Sequence, residues 1–275
     1  MTFNADYALP SGDVQWLVKQ YEEIRFAGGA DLLDKFIPRA DVSLVFHFGH
    51  PPLMLQPVAA SLPRFFLAPV ISCANHIKLS EPDTTFVVVC KPTVLSRVAS
   101  IDLSLPYSGY YPLPEKVFEP LWQRLSDAGD FYSRIAVFAS FTRQWYTNDY
   151  PEDCIDRIYD VILETHGQLP VKEILNRFGL KHRTLQRKFM KRIGVCPKTL
   201  TRIVRVNYLW DIGRIQKNAD YQDMVFQGRY YDQAHFIKDF KSITGETPDS
   251  FFRRDRYCVS IMSGKSAELP ADTCG

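Results

Sequence analysis

No stretch of the 275 residues reaches the roughly 18–20 consecutive apolar positions that a membrane-spanning helix needs, so no such helix is expected. The opening residues, MTFNADYALPSGD, lack the basic start and apolar stretch of a secretory signal, and a cytoplasmic location is expected. The six cysteines (Cys73, Cys90, Cys154, Cys196, Cys258 and Cys274) form no CxxC pair and sit near no histidine at metal-ligand spacing. They read as free thiols, several of them buried, with a redox-active sensor thiol as the alternative. Composition suggests neither disorder nor a repeat array, and 46% hydrophobic residues suffice for one large core or two ordinary ones.

Net charge is only +2, but residues 166–256 carry 19 Lys+Arg against 9 Asp+Glu, so that third is strongly basic and the remainder acidic. Such a division fits a nucleic-acid-binding module joined to a different domain. A solvated basic face would give the same count.

Residues 1–114 read as β-rich. DVSLVFHF (41–48), PRFFLAPVI (63–71) and TTFVVVC (84–90) are β-branched and aromatic runs, broken by turns such as HFGHPP and SEPDT. Short strands at this spacing predict a sandwich or barrel. DVQWLVKQYEEIRF (13–26) fits a strand or a short helix. An apolar effector pocket lined by Phe46, Phe48, Phe65, Phe66 and Phe86 is one reading of these strands, and plain core is the other.

From 114 to 148 the period changes. Val117, Leu121 and Leu125 recur every four residues; Ile135, Phe138, Phe141 and Trp145 recur at three or four. This predicts an antiparallel helix pair over 114–146. Its aromatic side, with Phe131, is expected either to pack on the sheet or to form a dimer surface. TNDYPEDC (147–154) reads as a linker, after which the pattern is entirely helical.

An offset of 51 residues aligns Leu185 with Phe236, Phe189 with Phe240, Gly194 with Gly245 and Pro197 with Pro248. Both copies have the form apolar-x3-Phe-x4-Gly-x2-Pro. Apolar residues four apart stripe a helix, Gly ends it in the left-handed conformation, and Pro opens the next helix. Each striped helix follows a shorter one: residues 171–180 precede 181–193, and YQDMVFQGRYY precedes a helix for which Asp232 is a plausible N-cap. This is helix-turn-helix grammar.

In the first copy Leu185, Phe189 and Ile193 point inward, and His182, Arg183, Gln186, Arg187 and Met190 lie elsewhere. In the second, Phe236 and Phe240 are core, while Gln233, His235 and Lys238 face out with Ala234. Arg and Gln can read guanine and adenine edges bidentately. Lys188, Lys191, Arg192 and Lys241 are better placed for phosphate.

KEILNRFGLKHRTLQRKFMKRIGVCPK and YYDQAHFIKDFKSITGETPDSFFR resemble the DNA-binding domain of the AraC/XylS transcriptional regulators, with DQAHFIKDF followed by TGETP as the specific signature. The resemblance covers the last ~100 residues and implies two units joined by a long helix over 197–217, in which Arg202 and Arg205 have the family's basic character. It implies base-facing roles for Arg183, Gln186 and Arg187 in the first unit and for Gln233, His235 and Lys238 in the second. The chain departs from the family twice. Arg229 stands where the second turn usually has Gly, which here falls one residue early at Gly228, and Leu209 stands where a small residue is common.

More modestly, PRADVSLVFHFG, FFLAPV and VVVCKPTVLSRV resemble the cupin-like sensor half of some such regulators. Cupin metal centres use His-x-His, a spacing that His47, His50 and His76 do not have. No cofactor or metal is therefore expected, and a cupin-type enzyme is excluded for the same reason. AraC-type domains fused to alkyl-transfer repair modules need clustered cysteines, also lacking.

The expected fold is α+β in two domains: a cupin-like β-sandwich or barrel with its helix pair over 1–148, serving as sensor and dimerisation domain, an all-α double helix-turn-helix over 152–256, and a flexible tail over 257–275. The expected function is sequence-specific regulation of transcription, with two recognition helices in successive major grooves ~34 Å apart. The expected partners are double-stranded DNA, a second copy of the chain, RNA polymerase and a small effector. The alternative is a sensor or interaction protein whose second unit has lost DNA binding.

Overall fold

The computed structural model describes residues 3–56, 59–104, 109–145, 151–215, 221–253 and 257–265. The N-terminal part holds β1 (Phe3–Ala8), β2 (Val18–Phe26), β3 (Leu32–Phe36), β4 (Val42–His47), β5 (Leu53–Met54), β6 (Ala60–Ser61), β7 (Phe65–Ala68), β8 (Asn75–Leu79), β9 (Asp83–Cys90) and β10 (Tyr111–Pro112). They form two antiparallel sheets in the orders β1-β2-β9-β4-β7-β10 and β3-β8-β5-β6. The ambiguous segment 13–26 resolves into a turn followed by β2.

The larger sheet is covered on both faces. Side chains alternate along a strand, so Leu44 and Phe46 of β4, Phe65 and Leu67 of β7, and Phe86 and Val88 of β9 point to one side and join the main core. The helix pair, α2 (Glu115–Asp127) and α3 (Phe131–Trp145), lies on that side. Phe46 meets Phe118 and Phe138 at ring-centroid distances of 6.5 and 6.3 Å, and Phe86 meets Phe131 at 6.2 Å. Arg134 clamps the layers, bonding the Leu125 carbonyl at 3.0 Å and Glu23 of β2 at 2.6 Å. Phe131, Phe138 and Phe141 are thus buried within the chain. The aromatic area that suggested a dimer surface packs on the chain's own sheet; the Trp145 side chain lies outside the described residues.

One helix escaped the sequence reading. Directly after β9, with Pro92 at its first position, comes α1 (Pro92–Val98). The chain then continues through α4 (Cys154–Glu164), α5 (Val171–Phe178), α6 (His182–Ile193), α7 (Pro197–Ile215), α8 (Tyr221–Gln227), α9 (Gln233–Thr244) and α10 (Pro248–Arg253). Asp153 and Asp156 close a reciprocal capping box at the start of α4.

The tail expectation is corrected over part of its length. Residues 257–265 return to the N-terminal domain and include α11 (Tyr257–Met262). Ile261 and Met262 join Phe3, Phe26 and Leu79 in a separate apolar cluster. The Ile37 amide donates to Ser263 Oγ at 3.0 Å, and Lys265 pairs with Asp211 of α7 while lying over the Trp210 ring. These residues lie past the stretch that carries the family resemblance, which suggested a loose end, but four consecutive residues, Val259 to Met262, are buried. Residues 266–275 lie outside the described residues.

Candidate DNA-binding interface

The first unit is built as its pattern predicts. Gly179 ends α5 in the left-handed conformation (φ 62°), Lys181 precedes α6, and Gly194 (φ 89°) ends it. Leu185, Phe189 and Ile193 are buried. Outward stand Lys181, His182, Arg183, Gln186, Arg187, Lys188 and Lys191, all exposed, while Met190 is half-buried. Arg183, Gln186 and Arg187 have no hydrogen bond or ion pair to a described residue, so their donors face solvent.

The second unit resolves the question of Arg229, the only one of the two departures that lies in a turn. Arg229 takes the left-handed conformation (φ 50°), and its amide donates to Phe226 while the Tyr230 amide reaches back to Val225. At the first turn the Gly179 amide donates to Asn176 and the Leu180 amide to Leu175. The hydrogen-bond pattern is the same, so Arg229 fills the role of Gly179. From there to the N-cap the second turn is one residue longer, which accounts for the register shift. Asp232 is indeed the N-cap of α9, accepting from the His235 amide at 2.7 Å. Gln233, Ala234, His235, Lys238 and Lys241 are exposed, with His235 edge-on to Tyr230 at 5.1 Å.

Basic residues divide in a way that spacing could not show. Arg192, expected near phosphate, points inward to Asp153 (2.9 Å), Asp156 (3.0 Å) and the Thr93 carbonyl. Arg202 pairs with Asp239 at 2.6 Å, and Arg205 donates to the Gly167 carbonyl at 2.7 Å. These three hold the domain together.

The N-terminal domain grips the C-terminal ends of both striped helices. At α6, the Leu103 amide donates to the Lys191 carbonyl at 2.9 Å, and α1 supplies Thr93 to Arg192. At α9, Lys35 donates to the Thr244 carbonyl and pairs with Glu246, both at 2.5 Å, and the Ala74 amide donates to Ile243 at 2.8 Å.

A cavity of about 150 Å³ lies between the two sheets. Its walls include Val45, His47, Phe66, Thr85 and Val87 from the larger sheet, Met54 and Ile77 from the smaller, and Met262 from the tail. Of the phenylalanines expected there, only Phe66 lines it. Phe46, Phe65 and Phe86 point to the opposite face, and Phe48 packs on Trp122 at 6.1 Å. Apolar runs could not distinguish the faces because both are covered. Among the described residues no group of three His, Cys, Asp or Glu could hold a metal ion, and no helix is long and apolar enough to cross a membrane. Cys73 is exposed and Cys90 buried, while Cys154, Cys196 and Cys258 are intermediate, all as free thiols; Cys274 lies outside the described residues.

Residues 174–254 match the model of a helix-turn-helix domain family. No curated protein sequence matches the chain. Among solved structures, ToxT from Vibrio cholerae is similar at 11% identity and a TM-score of 0.48, covering 92% of this chain and 98% of that one. The AraC-like transcriptional activator CuxR is similar at 12% identity and a TM-score of 0.28, covering 75% and 86%. The matched segment spans α6 and α9 with the helix joining them, so this C-terminal part of the chain is a helix-turn-helix domain.

Proposed function

We propose that α6 and α9 enter successive major grooves of one duplex face, with Arg183, Gln186 and Arg187 reading base edges from the first helix and Gln233, His235 and Lys238 from the second. The observation that carries this reading is the sorting of polar side chains: these six are exposed, whereas Arg192, Arg202 and Arg205 are tied inward. His182 and Met190 flank the base-reading set, and Lys188, Lys191 and Lys241 lie where phosphate contacts position the helices. The matching turns at Gly179 and Arg229 favour counting the second unit as competent.

The test is selection of bound sites from random duplexes. Arg183→Ala with Gln186→Ala relaxes preference at a few adjacent base pairs, by about 1–3 kcal/mol each, and Gln233→Ala acts at positions about one helical turn away. Unchanged selected sites would refute the assignment.

The same reading places a small effector in the inter-sheet cavity, whose walls include Met262 of the tail and whose domain holds the ends of both recognition helices. An effector that binds one arrangement of these contacts better shifts the population of DNA-competent molecules. The reading takes the chain as a non-enzymatic regulator acting in the cytoplasm without a cofactor. A second copy on the operator and a contact with RNA polymerase follow from the AraC/XylS resemblance; with its aromatic side packed on the sheet, the helix pair could serve a dimer only through its outer face, where Tyr132 is exposed.

A further inference from the structure

Among the described residues lining the inter-sheet cavity, one side-chain polar atom is buried without a hydrogen-bond partner. His47 is 3% exposed. Its Nδ1 lies 2.7 Å from Asp83 Oδ2 and 3.0 Å from Thr85 Oγ1, and its Nε2 is buried with no hydrogen-bond partner. Val45 and His47 occupy alternate positions of β4 and both line the cavity, so the ring stands on the cavity face. In the neutral imidazole, donation of the Nδ1 proton to Asp83 leaves Nε2 as an acceptor. A buried polar atom with no partner is uncommon and unfavourable, and a ligand that supplies a donor there is held more tightly than an apolar molecule of the same shape.

Charge narrows the class. Besides His47, the one basic side chain among the described lining residues is Arg39, and it is matched at 2.8 Å by Glu22, itself 1% exposed. Among the described lining residues Arg39 is matched by Glu22 and His47 Nδ1 by Asp83, so a carboxylate would bury a negative charge with no unmatched cation facing it, which is strongly disfavoured. Most of the remaining wall is apolar, including Ile24, Val45, Phe66, Val87 and Met262. Size narrows it further, because about 150 Å³ of apolar cavity accommodates a molecule the size of benzene.

We propose that the cavity binds a small uncharged molecule of about one ring in size bearing a hydroxyl, whose O–H donates to His47 Nε2. This rests on the reading that the N-terminal domain holds an effector. The hydroxyl sets the preference, and the apolar wall supplies most of the affinity.

The experiment is calorimetric titration of the full chain with three probes that share one tolyl ring: p-cresol, toluene and p-toluate. p-Cresol is expected to bind at least about tenfold tighter than toluene, and p-toluate more weakly than either. His47→Leu should bring p-cresol to within about threefold of toluene, and Val87→Phe, which fills the cavity, should abolish binding of both. Equal affinity of p-cresol and toluene for the unmodified chain overturns the hydroxyl assignment while leaving the cavity as a ligand site. So does p-toluate binding tightest. If none of the three binds, or Val87→Phe leaves p-cresol binding intact, the cavity is not the effector site and both readings fall. The comparison on the unmodified chain stands whether or not His47→Leu folds.

Discussion

The Leu209 side chain occupies the space that a Cβ on Gly228 would need. Such a Cβ would lie 2.9 Å from Leu209 Cδ1 and 2.8 Å from the Tyr230 ring. The large residue in the joining helix and the glycine one position early are therefore halves of one packing arrangement. Gly228→Ala should destabilise by about 2 kcal/mol through overpacking. Leu209→Ala, which empties a fully buried position, should cost about 2–5 kcal/mol. The double variant should be less destabilised than the two effects added, because the new methyl enters the space that leucine leaves. Urea denaturation of the four proteins measures this; strict additivity would mean that the contact does not exist.

Arg229 holds a backbone conformation that glycine adopts without strain. Its side chain is exposed. Arg229→Gly should raise stability by about 0.5–1 kcal/mol, the relieved strain being partly offset by the freer unfolded chain. A fall in melting temperature would show that the arginine side chain holds the turn.

Arg192 and Lys188 should separate cleanly. Arg192→Ala removes the nearer of two guanidinium groups from buried Asp156, leaving Arg97 at 3.9 Å, and should cost about 3 kcal/mol in stability. Lys188→Ala should leave stability within about 0.5 kcal/mol. It should also lower the slope of log affinity against log salt by about 0.9. Filter binding across a salt series, read beside thermal melts, tells the two apart.

Asp41 links the domains, accepting from Lys19 at 2.7 Å and from the Tyr159 hydroxyl of α4 at 2.8 Å. Burial pushes its carboxyl up, but Lys19 and Arg39 outweigh burial and hold it below the usual carboxylate range. Its folded value lies below the unfolded value of about 3.9, so its stabilisation is complete above that pH and is lost as pH falls through the folded value. Asp41→Asn should lower the melting temperature at neutral pH and flatten its decline in acid. An unchanged acid limb would assign the loss to other carboxylates.

Removal of residues 257–275 should strip Ile261 and Met262 from their cluster with Phe3 and Phe26 and remove the Lys265 contact to Asp211. Each buried side chain contributes about 1.5–3 kcal/mol. A drop of several degrees in melting temperature is expected, with faster amide exchange in β1 and β3, which α11 contacts. No change in either would return this segment to the role of a loose end.

The helix-turn-helix units were readable in advance because their signals are local. Apolar residues four apart, a left-handed glycine and a following proline each act within a turn or two of helix, and α6 and α9 fall where those signals put them. The exposure of Arg183, Gln186 and Gln233 follows from the same period. The strands were readable as strands, but Phe46 and Phe86 could not be told from Phe66 as cavity or core. The difference lies in which face a helix pair covers, and that pair begins more than twenty residues after β9.

The sequence by itself determined the strand-rich and helical parts, the helix-turn-helix units and the core stripes of α6 and α9, since periodicity and turn chemistry are properties of short segments. Only the tertiary structure decided that Arg192 belongs to Asp153 and Asp156, that Leu209 answers Gly228, that residues 257–265 return to the N-terminal domain, and that His47 faces a cavity. Each of these joins residues distant in sequence, and the free energy of such a contact depends on the burial and geometry that the whole chain creates when it packs.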